Sequence, residues 1–148
     1  MNEEIISEIH LTVLSDIKYL DVVQSVSDSF SSLTGLKGED TYWVGLSIRE
    51  AVTNAILHGN KSNTSIPVEL SFKQVDNRLV VTVTDKGDGL DESRIPDPLD
   101  PANLLKPGGR GIFLVRSFMD KVFINTPDGG GTELVMEKYI KEGESNED

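Results

Sequence analysis

The sequence predicts an α+β fold, a two-layer α/β sandwich in which helices cover one face of a mixed, mostly antiparallel sheet. Hydrophobic periodicity gives the order strand, helix, helix, two strands, loop, helix, two strands. Short turns join the later strands, as in antiparallel hairpins. A length of 148 residues suits one domain with one core. We expect residues 1–140 to form that domain and residues 141–148 to be a polar, disordered tail.

Composition argues against several classes of function. The formal net charge of −11 argues against direct nucleic-acid binding, because phosphate backbones are held by clustered Lys and Arg. No segment approaches the roughly 18–20 consecutive apolar residues of a membrane span. The first residues are acidic where a secretory signal would be basic, and there is no cysteine. These features predict a cytoplasmic protein that binds neither nucleic acid nor membrane.

The first two elements are predicted to be a strand and a helix. Ile9, Leu11 and Val13 alternate with polar residues, which is the period of a half-buried strand. From Asp16 the apolar spacing lengthens to three or four residues, which predicts an amphipathic helix ending at Gly35. The predicted apolar face of this helix consists of Ile17, Leu20, Val23, Val26, Phe30 and Leu33.

A second helix is predicted from a cap at Asp40 to about His58. Gly59 is expected to take the left-handed conformation that commonly follows a helix end. The apolar stripe of this helix consists of Val44, Ile48, Ala51, Val52 and Ala55.

The second half of the chain is predicted to hold four strands and one helix. The strands fall at 68–72, 79–84, 122–126 and 132–138, with turns at Asp76-Asn77 and at residues 128–131. A proline-rich stretch from Leu90 to Pro107 predicts an ordered but irregular loop. Helical spacing resumes over residues 111–120, directly after a glycine cluster.

Two polar residues stand out on the second helix. Glu50 and Asn54 are four apart, which places a carboxylate and an amide on one face, one turn apart. A solvated polar face explains such a pair in most helices. This helix is otherwise apolar, however, so the pair is expected to face a site or a wet groove.

Two glycine-rich segments follow. The first lies at the end of a strong strand and contains Asp85, Gly87 and Gly89. A hairpin turn is the simpler explanation of this Asp-x-Gly-x-Gly pattern. The functional explanation is a buried carboxylate beside glycines that let a flat ligand approach the backbone. Residues 108–111 precede a helix, so their N–H groups could hold phosphate or could merely close a loop on a helix cap. The chain carries neither the P-loop nor the dinucleotide-binding glycine pattern.

In order and spacing these segments resemble the nucleotide site of the Bergerat-fold family, which includes DNA gyrase, heat-shock chaperones and histidine kinases. Residues 50–55 are similar to its N box, 85–89 to its first glycine box, 108–111 to its second, and Gly131-Thr132 to its late Gly-Thr pair. The resemblance covers roughly residues 5–140. Within the family, residues 50–59 and 109–120 most resemble the anti-sigma-factor serine kinases of bacterial partner-switching systems.

The resemblance implies a mechanism and partners. It implies that Mg²⁺ is held by Asn54, that Asp85 pairs with the adenine amino group and that Thr132 supports this contact. Glu50 would act as general base on a serine or threonine hydroxyl of an anti-anti-sigma protein of the STAS type. A sigma factor would be the second partner, and the kinase would be a homodimer. The implied ATP-binding residues are Asn54, Asp85, Gly87, Gly89, Gly108, Gly109, Arg110, Gly111 and Thr132.

Two other functions remain open from the sequence. One is the free-standing ATP-binding domain of a histidine kinase, although the chain lacks the long helical hairpin that would carry a phospho-accepting histidine. Its only histidines are His10 and His58. The other is a non-catalytic, ATP-dependent regulatory module, against which the intact Glu50 argues.

Overall fold

The computed structural model describes residues 3–87 and 109–141, with the side chains of 109–111 excepted. Within these residues there are three α-helices and five strands. They are accompanied by a 3₁₀ turn at Ile17–Tyr19 and a π-helical turn at Ala55–Gly59. In chain order the helices and strands are β1 (Ile5–Leu14), α1 (Leu20–Thr34), α2 (Gly38–Asn54), β2 (Pro67–Val75), β3 (Arg78–Asp85), α3 (Gly109–Phe118), β4 (Lys121–Asn125) and β5 (Thr132–Tyr139).

The five strands form one sheet in the order β1-β2-β3-β5-β4. Every pairing between the described strands is antiparallel. The predicted α+β fold class is confirmed, and the sheet is antiparallel throughout its described extent. β3 lies at the centre, and its last residue, Asp85, pairs in register with Thr132 of β5.

The sheet buries one face against the helices. Alternate residues of the central strands are buried, among them Phe72 of β2 and Val81 of β3. Phe30 of α1 contacts Phe72 with ring centroids 5.8 Å apart. α2 lies between α1 and α3, and Trp43 of α2 stacks on Phe118 of α3 at 4.0 Å. Burial of the apolar stripe predicted for α2 is confirmed at all five positions.

The predicted apolar face of α1 is only partly right. Leu20, Val23 and Phe30 are buried, but Leu33 is 73% exposed and Ile17 is 56% exposed. Ile17 belongs to the 3₁₀ turn, whose three-residue period is out of phase with the helix that follows. Leu33 lies on the solvent side because the buried stripe continues from Phe30 to Ser31 and Thr34. The predicted stop at Gly35 is confirmed, with φ of 87°.

Both predicted ends of α2 are wrong in detail. The helix begins at Gly38 with Lys37 as its N-cap, so Asp40 lies inside the first turn and does not cap it. At its other end the chain passes into the π-helical turn, which the Asn60 N–H closes by donating to the Ala55 carbonyl at 2.8 Å. Gly59 is part of that turn and is not left-handed. Its lack of a side chain instead allows close contact with the Asp85 carboxylate.

The four later strands agree with the predictions to within three residues at each end. The β2–β3 hairpin turns at Asp76, whose φ is 52°, and the turn before β5 places Gly130 and Gly131 at φ of 93° and 90°. The predicted third helix is present but begins earlier, at Gly109. The loop prediction for Leu90–Pro107 and the tail prediction for residues 142–148 lie outside the described residues.

No helix within residues 3–87 and 109–141 is long and apolar enough to cross a membrane.

Candidate active site

Asp85 is a buried carboxylate at the end of the central strand. Its side chain belongs to a residue only 7% exposed. The Gly87 N–H donates to Asp85 Oδ1 at 2.8 Å, and the Thr132 backbone N–H also hydrogen-bonds the carboxylate. The turn after β3 and the start of β5 therefore both hold the carboxylate.

Burial raises the pKa of Asp85 above its ordinary value of 3.8, and the hydrogen bonds from Gly87 and Thr132 oppose this rise. The ionised carboxylate is therefore partly desolvated, and its backbone hydrogen bonds do not fully offset the free-energy cost of that desolvation. Perturbed carboxylates of this kind cluster at functional sites, because a ligand that donates a hydrogen bond offsets the desolvation.

Three glycines form a layer around Asp85. A Cβ on Gly59 would overlap the Asp85 carboxylate, and a Cβ on Gly87 would overlap the Gly59 carbonyl. A Cβ on Gly131 would overlap the Asp85 carbonyl oxygen, and Gly131 also has a positive φ. The segment after β3, the end of α2 and the start of β5 thus meet through backbone around the carboxylate.

Asn60 is a site-building residue that the sequence patterns did not reveal. It is 3% exposed, and its Oδ1 accepts from the Lys86 N–H at 2.8 Å. Its Nδ2 donates to Ser15 Oγ at 2.9 Å and to the Pro67 carbonyl at 3.1 Å. An asparagine after a helix-ending glycine is an ordinary surface-turn signal, so only its burial in the fold marks it.

Glu50 and Asn54 lie in the last part of α2, both half-buried. Four residues of α-helix separate them by about 6 Å along the axis, on one face. Asn54 is the last residue of α2 and directly precedes the π-helical turn that carries Gly59. The helix end that bears this polar pair is therefore the same end that contacts Asp85.

The second glycine segment is described only in part. The backbone of Gly109, Arg110 and Gly111 forms the first turn of α3, which packs against α2. The first N–H groups of a helix lack intrahelical partners and favour anions. The positions of Gly89 and Gly108, and the side chain of Arg110, lie outside the described residues.

The residues present fit a nucleotide with a bound Mg²⁺. Among the described residues no group of three or more His, Cys, Asp or Glu side chains could hold a metal by itself. Mg²⁺ bound with a nucleotide needs no such cage, because it takes one or two protein oxygens and completes its shell with phosphates and water. The Asn54 amide oxygen is a donor of that kind.

The family follows from comparison with known proteins. A model of the histidine kinase-like ATPase domain matches residues 13–138, which include the described positions of the site. The chain belongs to this family, and the family implies that ATP is its nucleotide. The fold and the family together define the class of protein, a histidine kinase-like ATPase domain.

The similar proteins include serine-protein kinases named RsbW and a structure that contains an RsbW domain. The serine-protein kinase RsbW of Staphylococcus epidermidis is 29% identical over 140 residues, covering 90% of this chain and 87% of that protein. RsbW of Staphylococcus aureus is 27% identical over the same coverage. Among solved structures, the RsbU and RsbW domains of Rv1364c from Mycobacterium tuberculosis match with a TM-score of 0.64 and 18% identity. That match covers 93% of this chain and 33% of the larger one, and it supports the fold.

Proposed function

We propose that this protein is an ATP-dependent serine/threonine protein kinase and anti-sigma factor of the cytoplasm. It phosphorylates an anti-anti-sigma protein of the STAS type and sequesters a sigma factor in a partner-switching system. The observation that carries the proposal is the buried Asp85 carboxylate, held at the same helix end as Glu50 and Asn54. Similarity to serine-protein kinases over 90% of the chain supports the kinase assignment.

Adenine binding is the task of the glycine-lined end of β3. The Asp85 carboxylate accepts a hydrogen bond from the exocyclic amine, which replaces the water that burial removed. Gly87 and Gly59 carry no side chains, so the turn after β3 and the end of α2 pack closely enough to hold the carboxylate in place for the adenine ring. Thr132, in register with Asp85, supports the contact. The residues proposed for the phosphates are Gly89, Gly108, Gly109, Arg110 and Gly111.

Phosphoryl transfer is the task of the α2 pair. The Glu50 carboxylate takes the proton of the acceptor hydroxyl while the hydroxyl oxygen forms a bond to the γ-phosphorus. The bond from that phosphorus to the β–γ bridging oxygen breaks, and ADP leaves. Bound Mg²⁺ would neutralise charge on the transferring phosphates, and Asn54 would hold it. This chemistry depends mainly on position, which suits side chains on one rigid helix.

Glu50→Gln tests the proposal, because it keeps the side-chain size and removes the base. With labelled ATP and a purified STAS-domain protein, transfer to serine should fall about 10²- to 10⁴-fold, while calorimetry shows nucleotide binding retained. Glu39→Gln, an exposed glutamate in the first turn of the same helix, is the matched control and should transfer at the parental rate.

The same assay separates the alternatives. Asn54→Ala should lose Mg²⁺-dependent ATP binding and transfer together, because the metal ligand is gone. Transfer at the parental rate in Glu50→Gln would contradict the assignment of the base. Label on a histidine would indicate a histidine kinase, and ATP binding without transfer would indicate a regulatory module.

We propose in addition that the protein is a homodimer joined at the edge of the sheet. β1 is an edge strand ten residues long, and Ile5, Ile6 and Ile9 are exposed on it. Long apolar edges of this kind pair readily with another strand. Antiparallel pairing of two copies about Ile9 sets Glu8 opposite His10 of the second copy, which is a complementary pair.

Light scattering tests the dimer. The parental protein should have twice the mass of the 16.2 kDa chain, and Ile9→Glu should halve it, because two like charges would face each other at the centre of the pair. A parental monomer, or a dimer that survives Ile9→Glu, would contradict this interface.

A further inference from the structure

Asn60 connects four parts of the fold through one buried side chain. Its backbone closes the π-helical turn, and its amide bonds Ser15 after β1, Pro67 at the start of β2 and Lys86 after β3. Both Nδ2 hydrogens are used, so the side chain is fixed in one orientation.

The chemistry of its partners fixes which end of the amide is oxygen. The Pro67 carbonyl can only accept a hydrogen bond and the Lys86 N–H can only donate one, so Nδ2 must face Pro67 and Oδ1 must face Lys86. Ser15 Oγ, which accepts from Nδ2, donates onward to the Ile66 carbonyl at 2.6 Å. The result is a continuous chain of hydrogen bonds from Lys86 to Ile66.

The peptide bond between Asp85 and Lys86 is held on both sides. Its N–H donates to Asn60, and its carbonyl oxygen lies against Gly131, where no Cβ could fit. This peptide immediately follows the Asp85 Cα and precedes Gly87, whose N–H bonds the carboxylate. A rotation of this peptide would therefore move both the carboxylate and the N–H that holds it.

We propose that Asn60 is a positioning residue for adenine recognition, which sets the Asp85 carboxylate through the Asp85–Lys86 peptide. The inference rests on the proposed ATP site and adds a determinant of base specificity that touches no ligand. Asn60 therefore controls how strongly ATP is preferred over ITP, in which an oxygen replaces the exocyclic amine. A purely structural asparagine would change stability and leave that preference unchanged.

Two alanine variants separate the two roles. Asn60→Ala leaves the Lys86 N–H without its partner, whereas Ser15→Ala removes a partner of Nδ2 and leaves the Lys86 bond intact. Affinities for ATP and ITP are measured by calorimetry at temperatures where circular dichroism shows each variant folded. We expect Asn60→Ala to lower the ATP-over-ITP preference about tenfold or more, since a misplaced acceptor loses a charge-assisted hydrogen bond. We expect Ser15→Ala to lower Tm with the preference within about twofold of the parent.

The inference is overturned if Asn60→Ala keeps the parental preference, or if Ser15→Ala loses as much preference as Asn60→Ala. Hydrogen exchange of the Lys86 amide in the ligand-free parent gives an independent measurement that needs neither a variant nor a nucleotide. That amide should be protected, and exchange at the rate of an unprotected amide would overturn the inference even if Asn60→Ala does not fold. A parent that binds no ATP contradicts the proposed function and the inference with it, whereas an unprotected Lys86 amide in a parent that binds ATP contradicts only the inference.

Discussion

Replacement of Asp85 by Asn is the most direct test of the adenine site. The substitution keeps the shape of the side chain and exchanges one carboxylate oxygen for an amide nitrogen. The backbone N–H groups of Gly87 and Thr132 hydrogen-bond the carboxylate. The single oxygen of an amide offers fewer acceptor sites for these two donors and for a ligand. The Nδ2 group then presents a donor where the adenine amine also presents a donor.

The expected loss can be worked from the hydrogen bond that disappears. A hydrogen bond to a charged group contributes about 1.5–3 kcal/mol, and each 1.4 kcal/mol is tenfold in affinity. The Kd for ATP should therefore rise about 10- to 150-fold. ITP offers an oxygen at the same position, so its affinity should fall less or should increase.

Calorimetry with ATP and with ITP at neutral pH measures both effects. Asp76→Asn is the matched control, since it makes the same change of charge in an exposed hairpin turn whose positive φ suits asparagine. It should bind ATP with parental affinity. If Asp85→Asn also binds ATP with parental affinity, the adenine acceptor lies elsewhere and the reasoning from burial fails.

Two further predictions concern the same carboxylate. Because burial raises the pKa of Asp85 above 3.8, ATP affinity should fall on acidification at a higher pH than an ordinary carboxylate would give. The folded state binds this proton more tightly than the unfolded state, so the contribution of Asp85 to the free energy of unfolding should decrease as pH rises from 3.8 through the raised pKa. Titrations of ATP binding and of unfolding should show neither effect in Asp85→Asn. Gly59→Ala should weaken ATP binding at least tenfold because its Cβ would overlap the carboxylate, whereas Gly129→Ala, with open space around its Cβ, should bind ATP as the parent does.

Prediction succeeded where neighbours in sequence decide the outcome. The positions of β2 and β3, the buried stripe of α2 and the helix end at Gly35 all follow from local periodicity and backbone preference, and the structure confirms them. Leu33 shows the limit of this reasoning, because its spacing fits the apolar stripe and yet it lies on the solvent side. Which of two adjacent positions is buried depends on how the helix is rotated against the sheet.

Gly59 shows a different limit. A glycine after a helical stretch predicts a left-handed stop, but Gly59 is present because the Asp85 carboxylate, 26 residues later in the chain, lies against it. No local pattern contains that contact. The same holds for Asn60, whose partners lie 45, 7 and 26 residues away along the chain.

The sequence by itself determined the α+β class, the order of the elements and the residue types proposed for chemistry, because each depends on periods and motifs within a few tens of residues. Only the tertiary structure decided that Asp85 is buried, that Gly59, Gly87 and Gly131 enclose it, and that Asn60 holds the peptide beside it. The physical reason is that desolvation and close backbone contact arise between segments that are distant in sequence. They exist only once β3, β5 and the end of α2 have packed together.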